Sequence, residues 1–235
     1  VQEKLKRKYK EEGSAYIDNF SLTKRVVECL TIGAARSGGV DPYLTGAVSL
    51  FGTDVPAHVK NFNEHFPGLK IRVSENNKQR YNLMKEYAGL YPNVSFHYGD
   101  VFDQPISNLV DLDFEGSSRS VYSRSLQCIS KQKFVPGPKC FIINTCCRPH
   151  GRDEELRLHT NLYNAVGIYL TRTPTETERM DSQDPGASLK RLIIPRSTIV
   201  GPNLISLDVY LYARKRKTGT KGIGAHMMTT CLVYR

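Results

Sequence analysis

No apolar run in this chain approaches the roughly 18–20 residues of a membrane-spanning helix, so the sequence gives no reason to expect a bilayer partner. Cysteine pairs of the C-x-x-C type are missing as well. The six cysteines, Cys29, Cys128, Cys140, Cys146, Cys147 and Cys231, have the spacing of neither a disulfide framework nor a zinc ribbon. Cys146 and Cys147 stand near His150, but neighbours on a strand point to opposite faces. No metal is therefore expected, and reduced thiols in an intracellular compartment are the plainer reading. The G-x-S-x-G elbow of serine hydrolases and the phosphate-binding P-loop are also lacking, as is a G-x-G-x-x-G fingerprint after any strand. Hydrolase, kinase and nicotinamide-dependent readings drop out on those absences. The histidines (His58, His65, His97, His150, His159 and His226) are scattered, as surface or hydrogen-bonded core residues would be.

Positive charge, by contrast, is plentiful. Lys and Arg number 33 against 23 Asp and Glu, a net charge of +10 that favours polyanions such as nucleic acid. The basic residues cluster at Lys4, Lys6, Arg7, Lys8 and Lys10, and again at Arg214, Lys215, Arg216, Lys217 and Lys221. Either they contact phosphates or they only solubilise a surface. Residues 1–13 are charged and lack the apolar core of a signal peptide. A soluble, intracellular protein, cytoplasmic or nuclear, is expected. A length of 235 residues can support one large core. The division expected is a basic arm and helix over 1–45 and an α/β domain over 46–235.

Four strands are expected at AVSLFG (47–52), LKIRVSE (69–75), NVSFHYGD (93–100) and NLVDLDFEG (108–116). Helical patterns separate the first three. In residues 55–66, Val55, Val59, Phe62 and Phe66 form a stripe at helical spacing, and Pro56 suits the first turn. Residues 78–90 place Tyr81, Met84, Tyr87 and Ala88 on one face. Another helix is expected over 22–35, ended by the glycines and proline of RSGGVDP, and further ones over 118–130 and 152–170. A fifth strand is read at 141–146, and others near 191–194, 204–214 and 227–234. The last two should pair as a hairpin across KRKTGTKGIGAH. Strands separated by helices imply parallel pairing with right-handed crossovers. The fold class expected is thus α/β: a three-layer sandwich on a mostly parallel, seven-stranded sheet with an antiparallel C-terminal hairpin. Ligands of open α/β sheets bind at the carboxyl ends of the strands, which is where Glu75, Asp100, Asp111 and Asp113 stand.

This order of strands and acids resembles the class I S-adenosylmethionine-dependent methyltransferases over about residues 47–234. The resemblance implies S-adenosylmethionine as cofactor and methyl transfer as the activity. The turn after the first strand, Phe51-Gly52-Thr53, would lie along the cofactor, with one glycine where the family has two or three. Glu75 would hold the ribose hydroxyls, its two oxygens each accepting one proton, or it caps the helix that starts at Asn76 or Asn77. Asp100 would reach the adenine amino group, with Val101 packed on the base and Asn76 beside the ribose. The stretch Asp111-Leu112-Asp113-Phe114 stands where amine-methylating relatives carry an Asn or Asp, two prolines and an aromatic residue. Asp111, Asp113 and Phe114 are then the catalytic candidates, as acceptors from an amine, as a general base on a hydroxyl, or as metal holders in the manner of catechol-type enzymes. They equally read as two solvated acids at a strand end. Arg214, Lys215, Lys217 and Lys221 would grip the phosphates of a nucleic-acid substrate, or keep an edge strand from aggregating. The alternative is a catalytically inactive methyltransferase-like domain that serves as a nucleic-acid-binding or assembly subunit.

Overall fold

The computed structural model describes residues 22–51, 55–104, 107–113, 136–147, 190–193, 204–213 and 226–235, with positions 4, 7 and 124. Among the described residues, eight strands form one sheet: β1 (Ala47–Ser49), β2 (Ile71–Glu75), β3 (Val94–Tyr98), β4 (Leu109–Leu112), β5 (Lys139–Cys147), β6 (Lys190–Ile193), β7 (Leu204–Ala213) and β8 (His226–Tyr234). Their order is β3-β2-β1-β4-β5-β8-β7-β6. The pairs from β3 through β5 are all parallel. Those from β5 through β8 and β7 to β6 are antiparallel. The expected α/β class and mixed sheet are therefore observed. The hairpin partner β8 lies inside the sheet, between β5 and β7, and β6 adds an eighth strand at the edge.

Three helices are described. Helix α1 (Leu22–Ser37) buries Val27, Ile32 and Ala35 on one face. It stops at Gly39, whose φ of 78° is a left-handed conformation. The Gly39 N–H reaches the Arg36 carbonyl at 3.0 Å and the Val40 N–H reaches that of Ala35 at 3.1 Å. Two otherwise unmet carbonyls are satisfied in this way, as in a Schellman cap. Helix α2 (Val55–His65) buries Val55, Val59 and Phe62 as its stripe requires, and Phe66 follows just past its end. Fully burying a side chain such as Phe62 stabilises the fold by about 1.5–3 kcal/mol.

Helix α3 (Lys78–Met84) starts at Asn77, whose side chain accepts from the N–H groups of Gln79 and Arg80. It tightens into a 3-10 turn over Lys85–Tyr87. Met84 and Tyr87 are buried, as expected, but Ala88 is exposed. The tighter winding of about 3.0 residues per turn rotates residue 88 off the apolar face.

Helices α2 and α3 make the crossovers from β1 to β2 and from β2 to β3, and the right-handed rule for such parallel connections assigns both to one face of the sheet. Helix α1 packs on α2 and on β8, β7 and β5. Residues 118–130 and 152–170, expected as helices, lie outside the described residues. Strand order reverses between β1 and β4, so the crevice there is the topological switch point of the sheet.

Entry into β1 depends on Gly46. Its φ is 72°, and a Cβ there would stand 2.7 Å from the Lys70 carbonyl oxygen. Replacing Gly46 with Ala is expected to cost about 1–3 kcal/mol from the left-handed backbone alone, with the clash adding to it. A urea titration of Gly46→Ala that matched the parent midpoint would contradict this account of the β1–β2 approach.

Candidate functional site

Polar side chains gather in two places near the switch point. The first is the carboxyl edge of β2 and β3. Glu75 is the last residue of β2 and is almost fully buried. Its Oε1 accepts from the Asn77 N–H at 2.8 Å, and its Oε2 lies 3.9 Å from Arg80 Nη1. Asp100 stands two residues past the end of β3 and is half-buried, next to the buried Val101. The Gly99 N–H donates to the Glu75 carbonyl at 3.1 Å, which ties the two strand ends together. Gly99 has a φ of 147°, a conformation that side chains rarely adopt, so the turn into Asp100 needs a glycine.

The second place lies between the sheet and helices α1 and α2. Asp111 on β4 is only 2% exposed. It accepts from Ser49 Oγ on β1 at 3.1 Å and from Asn144 Nδ2 on β5 at 3.3 Å. Asn144 in turn accepts from Thr229 Oγ1 on β8. Asp113, just past β4, pairs with Lys24 from α1. Glu28, one turn further along α1, accepts from His58 Nδ1 and, at 2.6 Å, from Asn61 Nδ2. The Phe51 ring is buried and stacks on the His58 imidazole with 4.6 Å between centroids and 10° between planes. Lys24, Glu28, His58, Asp111, Asp113, Ile142 and Asn144 line a small cavity at the centre of this group.

Burial dominates the electrostatics here. It pushes the Asp111 carboxyl well above the ordinary carboxylate range, and the nearby Glu28 and Asp113 push in the same direction. Lys24 and the hydrogen bond from Ser49 oppose the shift without cancelling it. A strongly shifted acid at a switch point is the pattern of a functional site more often than of a core.

Among the residues selected from sequence, Glu75 and Asp100 stand together at one edge, and Asp111 and Asp113 together under α1. Asn76 is exposed beside the first group. Phe51 faces the core, with His58 and Phe62 as neighbours. Gly52, Thr53, Phe114, Arg214, Lys215, Lys217 and Lys221 lie outside the described residues. Lys24, Glu28 and His58 were not selected. Their one sequence signal is a charged or titratable residue on an otherwise apolar helix face: Glu28 beside Val27 and Ile32, and His58 between Val55 and Phe62.

No family model matches this sequence, and no curated protein matches it. Solved structures do match. The chain superimposes on the TYW2 protein of Pyrococcus horikoshii, solved in complex with MeSAdo, with a TM-score of 0.50 at 10% identity. That match covers 94% of this chain and 66% of the other, so this chain spans just under two thirds of the length of that protein. The TYW2 protein of M. jannaschii, in complex with AdoMet, gives 0.45 at 12% identity, covering 92% of this chain and 77% of the other. Precorrin-6y C5,15-methyltransferase of Geobacter metallireducens gives 0.44 at 10%, covering 89% and 86%. At such identities the likeness is one of fold alone, and the fold shared with the Pyrococcus horikoshii protein is the α/β sheet expected from the sequence.

The raised Asp111 carboxyl has a defined consequence for stability. Folding favours its neutral form, so its contribution is full below the ordinary value of 3.8 and is lost as pH rises through the higher folded value. Asp111→Asn keeps both hydrogen-bonded neighbours and removes that loss. In buffer with EDTA the variant should melt at or above the parent temperature at pH 7, with the gap closing as pH falls toward about 4. A variant that melts lower at pH 7 and higher at pH 4 would reverse the sign and refute it.

Proposed function

We propose that the chain binds S-adenosylmethionine at the carboxyl edge of β1 to β3 and transfers a methyl group to an acceptor in nucleic acid. One observation carries the reading: Glu75 ends β2 and Asp100 stands two residues past the end of the adjacent parallel β3, at the same edge of the sheet. Two acids at that edge suit a nucleoside, one for a diol and one for an exocyclic amine. The Glu75 carboxylate accepts from the Asn77 N–H at Oε1, and a carboxylate, with about four lone-pair sites on its two oxygens, is suited to accept from a ribose diol. Asp100, partly open to solvent and seated by Gly99, would accept from the adenine amine, with Val101 beneath the ring.

When bound, the cofactor supplies a methyl group that is already activated. The chain's task is then alignment of the acceptor, which accounts for most of the rate in such transfers. Asp111 and Asp113 are fixed by Ser49, Asn144 and Lys24 at the end of the neighbouring strand β4. The net charge of +10 supports a polyanionic acceptor. The fold likeness to a protein solved with MeSAdo supports the nucleoside half.

A second reading is a non-catalytic domain that binds nucleic acid or assembles with other subunits. Two contacts favour it. Asp113 is already paired with Lys24, and Phe51 is turned into the core rather than toward a ligand.

Isothermal titration separates the two. The first reading expects micromolar binding of S-adenosylmethionine and S-adenosylhomocysteine, abolished in both Glu75→Ala and Asp100→Ala. No heat and no thermal shift at millimolar cofactor would remove the enzyme reading and leave the binding domain.

A further inference from the structure

The group under α1 contains donors that a nucleoside at the β2–β3 edge does not use. Glu28 from α1, His58 from α2 and Asp111 from β4 each present one ligand-type atom, and these atoms lie within 4.8 Å of one another. All three residues are under 10% exposed. We propose that Glu28, His58 and Asp111 form a binding site for one divalent transition-metal ion of the zinc or manganese kind. The site goes beyond the cofactor reading and does not rest on it.

The donor set is that of a metal centre rather than of a solvated acidic patch. One imidazole and two carboxylates converge from three separate elements, a nitrogen and oxygen mixture that suits zinc, manganese or ferrous iron. Magnesium is less suited, because it prefers oxygen donors and retains its waters. Bonds of about 2.0–2.2 Å to a central ion bring tetrahedral donors to about 3.5 Å from one another. Small side-chain rotations from the present spacing achieve that, and the contact between His58 and Glu28 would open to admit the ion. The cavity bordered by Lys24, Asp113, Ile142 and Asn144 adjoins the same three residues and leaves a side for a further ligand.

Independent support comes from the contacts that orient each donor. Asn61 holds Glu28 Oε2, Ser49 and Asn144 hold the two oxygens of Asp111, and the Phe51 ring fixes the imidazole plane of His58. Metal ligands are held in this manner by an outer layer of hydrogen bonds and packing. Charge points the same way. Glu28, Asp111 and Asp113 are all buried, Lys24 is directed at Asp113, and a divalent cation would offset the two acids on the other side.

A second cluster, Cys29, Glu64 and His65, lies on the more exposed side of the α1–α2 contact, with Cys29 Sγ 3.2 Å from His65 Nε2. It contains sulfur, and that makes the two sites distinguishable by spectroscopy.

The test is a Co2+ titration of the full chain, followed by visible absorption, with Zn2+ competition and no nucleoside present. The site expects one equivalent of Co2+ with ligand-field bands, no thiolate charge-transfer band, and displacement by Zn2+. Asp111→Asn and Glu28→Gln should each weaken binding by more than about 100-fold, while Cys29→Ser combined with His65→Gln leaves it unchanged. Far-UV circular dichroism checks that each variant is folded. If Glu28→Gln fails to fold, the near-isosteric Asp111→Asn carries the test. No ligand-field spectrum in large excess of Co2+, a spectrum unchanged in a folded Asp111→Asn, or a sulfur band lost in the Cys29→Ser, His65→Gln protein would each overturn the proposal. Cofactor titration is a separate measurement, so failure of one reading leaves the other standing.

Discussion

The buried carboxylate of Asp111 is the constraint around which the centre of this sheet is arranged. A buried carboxyl group, even one whose neutral form is favoured, needs hydrogen-bonding partners with good geometry, or it destabilises the fold by about 1–3 kcal/mol. Here the partners come from strands on both sides, Ser49 on β1 and Asn144 on β5, and Thr229 on β8 supports Asn144. A polar line thus crosses four adjacent strands through an otherwise apolar interior. Strand side chains alternate between faces, so a slip of β4 by one residue would turn Asp111 to the opposite face, away from all of these donors. The same carboxylate therefore fixes the register of the sheet and forms the floor of the candidate site.

Helices α1 and α2 supply the roof. Their mutual contact is mostly apolar, yet Glu28 and His58 interrupt both buried faces with a hydrogen-bonded pair. Lys24 extends over the end of β4 to Asp113. The group is assembled from α1, α2, β1, β4, β5 and β8, so its chemistry belongs to the tertiary structure and to no single segment. The β2–β3 edge is different, since Glu75, Asn77, Gly99 and Asp100 are placed by short-range turns and caps.

That difference explains what could be read from sequence. Strand placement was legible, because short apolar runs ended by glycine or an acid have few alternatives, and the bounds of β2 to β8 shift by only a few residues. The placement of Glu75 and Asp100 near the ends of β2 and β3 was legible because the strand ends themselves were. The stripe Val55, Val59 and Phe62 was legible from its period. Glu28 and His58 were not, because one titratable residue on an apolar helix face reads as a tolerated exception until the opposing helix is in place. Phe51 was misleading for a related reason: its position in the turn suggests a ligand contact, but an aromatic ring next to Phe62 and His58 gains more by joining the core. The interior position of β8 was equally hidden, since a hairpin signal says which strands pair and not which of them meets β5.

That interior position governs the order in which the molecule can be assembled. Strand β8 joins the parallel half of the sheet to β7 and β6, and its Cys231 thiol donates to the Thr31 carbonyl on α1, a contact between residues 200 positions apart. Until residues 226–234 have left the ribosome, β5 lacks its neighbour, α1 lacks much of the surface it packs on, and Asn144 lacks the hydroxyl of Thr229. During synthesis the parallel strands would wait with one edge unpaired, the condition in which strand edges recruit other chains. The same topology makes the site all-or-none, because a chain that stops short of β8 cannot close the layer that holds Asp111.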